Sequence, residues 1–129
     1  MNLDCFVAET EAAAQMYALK IDIVAKTKNA IKIKLNISES IAVQCYYNQT
    51  SKTTNFVLIG GSRRIYGRDS VGGNWHRHPF ENPDAHDTSW EGSQMVTPEQ
   101  FLQEVFEILI REDLITPSLR NYKKTNEGR

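Results

Sequence analysis

Cysteine and histidine are both scarce in this chain of 129 residues, which has two of the first and three of the second. Cys5 and Cys45 lie far apart, each among apolar neighbours. That arrangement excludes a disulfide framework and the close spacing of a cysteine metal site, and it predicts buried reduced thiols in a reducing compartment. No apolar run is long enough to cross a membrane, and no basic-then-apolar leader opens the chain. A cytoplasmic, soluble protein without membrane contact is expected. Charge of either sign is not in excess: the formal net charge is -1, so the total does not advertise a nucleic-acid partner. Repeats and low-complexity segments are missing as well. The length suits one domain, 1–129, with a polar tail from about 119.

What is present reads as α+β. Residues 3–19, "LDCFVAETEAAAQMYAL", carry strong helix formers and no breaker. "IKIKLNIS" then alternates strictly, with Ile31, Ile33, Leu35 and Ile37 set against Lys32, Lys34 and Asn36. This is a strand with one buried and one wet face. Strand 20–26 precedes it across the turn "KTKN". "IAVQCYYN", "NFVLIGG" and "SRRIYGRD" follow as further strands, the last ending at Gly67. Their links are short, and short links make antiparallel neighbours. The expectation is a meander of four or five strands, then a long histidine-containing loop, then a C-terminal helix. Thr97, Pro98 and Gln100 form a helix start with a capping box. Phe101, Leu102, Val105, Ile108 and Leu109 give that helix an apolar stripe for packing on the sheet, with Phe106 at its margin.

All three histidines fall in one stretch, "GGNWHRHPFENPDAHD", which has no apolar periodicity and reads as irregular. His76 and His78 are two residues apart, so an extended backbone would point both rings the same way. Two chemistries suit such a pair. One is general acid–base catalysis, because imidazole titrates near neutral pH. The other is metal ligation by His76 and His78, with His86, Asp84 or Asp87 as the third ligand. The bland alternative packs Trp75 and His76 against the helix and leaves His78 on the surface before Pro79. Trp75 and Phe80, which bracket the pair, read as anchors of the loop to the core.

Positive charge is uneven. Arg63, Arg64, Arg68 and Arg77 cluster near the histidines, and Lys32 and Lys34 share one side of a strand. A phosphate-bearing ligand lying across that face would meet lysines first and the arginine–histidine segment at its edge. The competing reading is a solvated face whose lysines block edge association. Tyr66 could donate to a phosphate oxygen, and Asp69 could orient a histidine or serve as a turn carboxylate.

"RRIYGRDS", a Gly-rich gap, "NWHRHPF", an acidic loop and "TPEQFLQEVFEIL" together resemble the bacterial toxin TumE family and its uncharacterised relatives. The specific part covers about residues 63–80. Ser70 stands where the family pattern has asparagine, and the helix over 3–19 has no counterpart in it. The resemblance implies the toxin of a toxin–antitoxin pair, neutralised by a helix-turn-helix antitoxin, with ribonuclease activity. It places His76 and His78 on the family's His-x-His element and Asp69 on its turn aspartate.

The combined expectation is a metal-independent endoribonuclease needing no cofactor, with RNA and the antitoxin as partners and room for a homodimer. His76 and His78 would pass protons, assisted by Asp69 and Tyr66. Arg68 and Arg77 would stabilise the transition state, and Lys32, Lys34, Arg63 and Arg64 would hold RNA. The alternatives are a non-enzymatic RNA- or protein-binding module, and a metal-binding protein built on His76, His78 and His86.

Overall fold

The computed structural model describes residues 1–115; the polar tail expected from about 119 lies outside them. Helix α1 covers Leu3–Met16. Six strands follow: β1 Lys20–Lys26, β2 Ala30–Asn36, β3 Ile41–Asn48, β4 Thr53–Gly60, β5 Arg63–Asp69 and β6 His76–His78. Helix α2, Pro98–Arg111, comes last. The strands lie in sequence order in one sheet, and every neighbouring pair is antiparallel. This is the α+β meander expected, with one strand more than expected. The extra strand is β6, cut from the stretch read as irregular. Three residues of pairing with β5 are enough to extend it, and apolar periodicity cannot register so short an element. The fifth strand also runs past Gly67 to Asp69.

Strand periodicity decides which side of the sheet each residue occupies. Ile31, Ile33 and Leu35 of β2, Val43 and Cys45 of β3, and Phe56 and Leu58 of β4 point to one side and are buried. Both helices cover that side. Phe6 of α1 stacks on Tyr47 at 5.2 Å between ring centroids, and Phe101 of α2 stacks on Phe56 at 5.1 Å. Such offset pairs add about 0.5–1.5 kcal/mol each beyond the apolar area they bury. α2 starts as its sequence dictates. Thr97 accepts from the Gln100 amide, and the Gln100 side chain accepts from the Thr97 amide. Phe106 belongs to the core rather than to its margin, 2% exposed and stacked on Tyr17 at 4.3 Å. The thiols divide: Cys45 is buried as expected, but Cys5 is exposed. Cys5 falls on the outer side of α1, where its apolar sequence neighbours turn inward without it.

No helix among the described residues is long and apolar enough to cross a membrane.

Candidate functional site: three imidazoles around one buried carboxylate

Among the described residues, the other side of the sheet carries no helix. Two register rows cross it from β2 to β6. The first runs Lys32, Tyr46, Asn55, Asp69, His76; the second runs Lys34, Gln44, Val57, Gly67, His78. At about 4.8 Å per strand step, each lysine backbone stands roughly 19 Å from the histidine backbone of its row. The register thus sets Lys32 and Lys34 on the same side of the sheet as His76 and His78.

At the β6 end the rows close into a compact cluster. Asp69 is 3% exposed. Its two carboxylate oxygens each meet a different ring: Oδ1 lies 2.9 Å from Nε2 of His76, and Oδ2 lies 2.9 Å from Nε2 of His78. The far nitrogens are also engaged. Nδ1 of His78 lies 3.0 Å from the Pro83 carbonyl oxygen, and Nδ1 of His76 lies 3.2 Å from that of Asn74. Asp69 also accepts from the Val71 amide at 3.0 Å, so it closes the turn after β5 while facing both rings.

His86 joins them from the loop after β6. That loop turns back, and Arg77 and Asp87 pair through both backbone amides, at 3.1 and 2.7 Å. One step along this antiparallel bridge sets His86 beside His78 on the same side. Its ring centroid lies 4.8 Å from that of His76 and 4.8 Å from that of His78. The clasp is reinforced by side chains, since Arg77 donates through Nε to Asp87 at 2.9 Å. Asp87 also accepts from the Ser89 amide at 2.9 Å. The Ser89 bonds, with Arg77 beside them, hold the Asp87 carboxyl down at about 2.

Gly67 makes room for the cluster. A side-chain carbon at that position would stand 3.0 Å from the Phe56 carbonyl oxygen and 3.7 Å from Cδ2 of His78. It would also lie 3.6 Å from Cδ of Arg64, so Arg64 reaches over the same face beside the histidines.

The remaining residues expected at the site lie elsewhere, which is a correction. Tyr66 and Arg68 alternate with Gly67 and Asp69, so they point to the helix side. Arg68 is 4% exposed; its Nε and Nη2 each donate to Glu104 of α2 at 2.8 Å, and Nη1 donates to the Glu91 carbonyl at 2.8 Å. The Tyr66 hydroxyl donates to Glu104 at 2.7 Å. Burial, and then the neighbouring Glu104 carboxylate, push that hydroxyl up to about 12. Arg77 alternates with the two histidines and joins the helix side as well. For Arg77, which stands between the two histidines, period-two alternation makes this unavoidable; for Tyr66 and Arg68 the register decides, since it sets Arg68 opposite Arg77. Arg68 and Arg77 are therefore structural cations with anionic partners, not charges beside the imidazoles. Arg63 is exposed at the β4–β5 turn. Trp75 and Phe80 pack against the core, as anchors should. The contribution that sequence reading missed is the clasp from Arg77 to Asp87, whose only signal was one arginine and one aspartate amid other charges.

No protein family, curated protein or solved structure matches this chain.

Proposed function

We propose that the chain is an RNA-directed toxin of a toxin–antitoxin pair that cleaves phosphodiester bonds at the histidine cluster. The observation that carries this reading is the pair of register rows that put Lys32 and Lys34 on one face, opposite α1 and α2, with His76 and His78. A single strand laid along the rows meets ammonium groups that hold its phosphates. It then meets Arg64, and after it a group of titratable rings. The antitoxin partner follows from the resemblance of residues 63–80 to the TumE family.

The reaction is attack of a ribose 2′-oxygen on the adjacent phosphorus. The new O2′–P bond forms as the P–O5′ bond breaks. A base takes the 2′ proton, and an acid returns a proton to the departing 5′ oxygen. Run by imidazoles, these roles fall to His76 and His86, which have the more open positions; their rings differ in burial and in partners. His78 is 3% exposed with both nitrogens engaged. It positions Asp69 and the loop and does not touch substrate. Arg64 is the cation placed to offset charge on the transition state.

The test is cleavage of an end-labelled single-stranded RNA by purified protein, with growth arrest on induction as the cellular readout. His76→Ala and His86→Ala should each lower cleavage by about 100-fold or more, the contribution of one acid or base, and relieve arrest while melting like the parent. A protein that neither binds RNA at low salt nor arrests growth sinks the reading.

A further inference from the structure

We infer that His76, His78, His86 and Asp69 form a binding site for one divalent transition-metal ion of the zinc class. The argument begins with proton counting. A neutral imidazole has one N–H and one lone pair. Both Nδ1 atoms face backbone carbonyl oxygens, at Pro83 for His78 and at Asn74 for His76, and a carbonyl only accepts. A ring that donates from Nδ1 to such a carbonyl presents the lone pair of its Nε2 as a ligand atom. Both Nε2 atoms nevertheless lie 2.9 Å from carboxylate oxygens of Asp69. Lone pairs aimed at carboxylate oxygens at that distance repel unless a cation lies between them. A single metal ion serves both contacts at once.

Three further features favour the ion. Donation of the far ring nitrogen to a backbone carbonyl is the usual support that fixes the tautomer of a metal-binding histidine. The rings stand at 51–84° to one another rather than stacked. One nitrogen from each of the three rings falls within 4.8 Å of the others. A tetrahedral ion with bonds of about 2.0–2.1 Å sets its nitrogen ligands about 3.3 Å apart. The widest pair thus needs to close by about 1.5 Å, within reach of side-chain rotation in the exposed His86. Three imidazoles with a carboxylate are a borderline donor set, suited to zinc, cobalt or iron and poor for magnesium or calcium.

This deepens the reading above and rests on it only for the reaction. An ion held there by His76, His78 and His86 would supply Lewis-acid chemistry to the phosphate, with Asp69 yielding the fourth position. The site itself stands or falls without RNA.

The experiment is titration of chelator-treated full-length protein with Zn²⁺, and in parallel with Co²⁺, whose visible absorption reports ligand number and type. One equivalent of Zn²⁺ should bind with submicromolar affinity and raise the melting temperature. Co²⁺ should give the intense bands of a four-coordinate nitrogen–oxygen site. His86→Ala, on an exposed loop and expected to fold, should weaken Zn²⁺ by more than about 100-fold, and Asp69→Asn by about 10–100-fold or more. Absence of stoichiometric binding, or binding unchanged in His86→Ala and His76→Ala alike, overturns the proposal. Zn²⁺ bound by a protein that ignores RNA keeps the metal site and ends the RNA reading. RNA cut in chelator by a protein that binds no Zn²⁺ does the reverse.

Discussion

Lys34 and His78 occupy one register row of the sheet, on opposite sides of β3, β4 and β5, and both face the side opposite α1 and α2. The pairing turns two distant sequence features into the two ends of one surface. It also separates that surface from the arginines that lie closest to the histidines in the chain.

If RNA follows the rows, binding must weaken as salt rises, because neutralised phosphates release counterions. About four phosphate contacts give a log–log slope of roughly -3 on single strands. Lys34→Ala should reduce that slope by somewhat less than one and weaken binding alike for all sequences. Filter binding across a salt series measures both. A slope near zero would remove RNA from the account.

Glu104 is the shared acceptor for Tyr66 and Arg68, joining α2 to β5. Glu104→Ala leaves a buried guanidinium without its anion and a buried hydroxyl without its acceptor. The expected loss is about 2–4 kcal/mol, at the lower part of the range for a broken buried pair, because Glu104 keeps some water contact. Urea unfolding measures it. An unchanged midpoint would show that backbone carbonyls alone satisfy Arg68.

Tyr66 also predicts the alkaline limit of the fold. In the unfolded chain its hydroxyl ionises near 10, whereas burial and Glu104 hold it at about 12 in the folded protein. The folded state therefore favours the bound proton. The stability from this is full below pH 10 and is lost as pH rises towards 12. Tyr66→Phe should flatten that part of the stability curve, read as melting temperature against pH. An equal alkaline loss in the variant would assign the effect to other groups.

The two thiols should react very differently. Burial pushes the Cys45 thiol up to about 12, and only a thiolate attacks alkylating reagents. At pH 8 iodoacetamide should label Cys5 promptly and Cys45 only on unfolding, with peptide mass mapping as the readout. Labelling of both at equal rates in the native protein would contradict the burial of β3.

The secondary structure was legible wherever one local pattern sufficed. Ile31, Ile33 and Leu35 against Lys32 and Lys34 specify a strand and both of its faces. Thr97, Pro98 and Gln100 specify the start of α2 by hydrogen bonds that close within three residues. Cys5 was misplaced because an apolar neighbourhood in a helix says little about which face one residue takes.

The candidate site divides in the same way. From sequence alone, His76 and His78 were already bound to share a side once extended, and His86 and Asp69 were already among the candidates. Only the tertiary structure decided that β6 exists, since its three residues gain extended form from pairing with β5. Only register put Asp69 opposite His76, and only the Arg77–Asp87 bridge returned His86 to the same side. Register likewise sent Arg68 to the helix side, where alternation alone already sends Arg77. Alternation is a local rule visible in the sequence, but pairing partners are chosen by long-range packing, and which charges meet which rings follows from the partners.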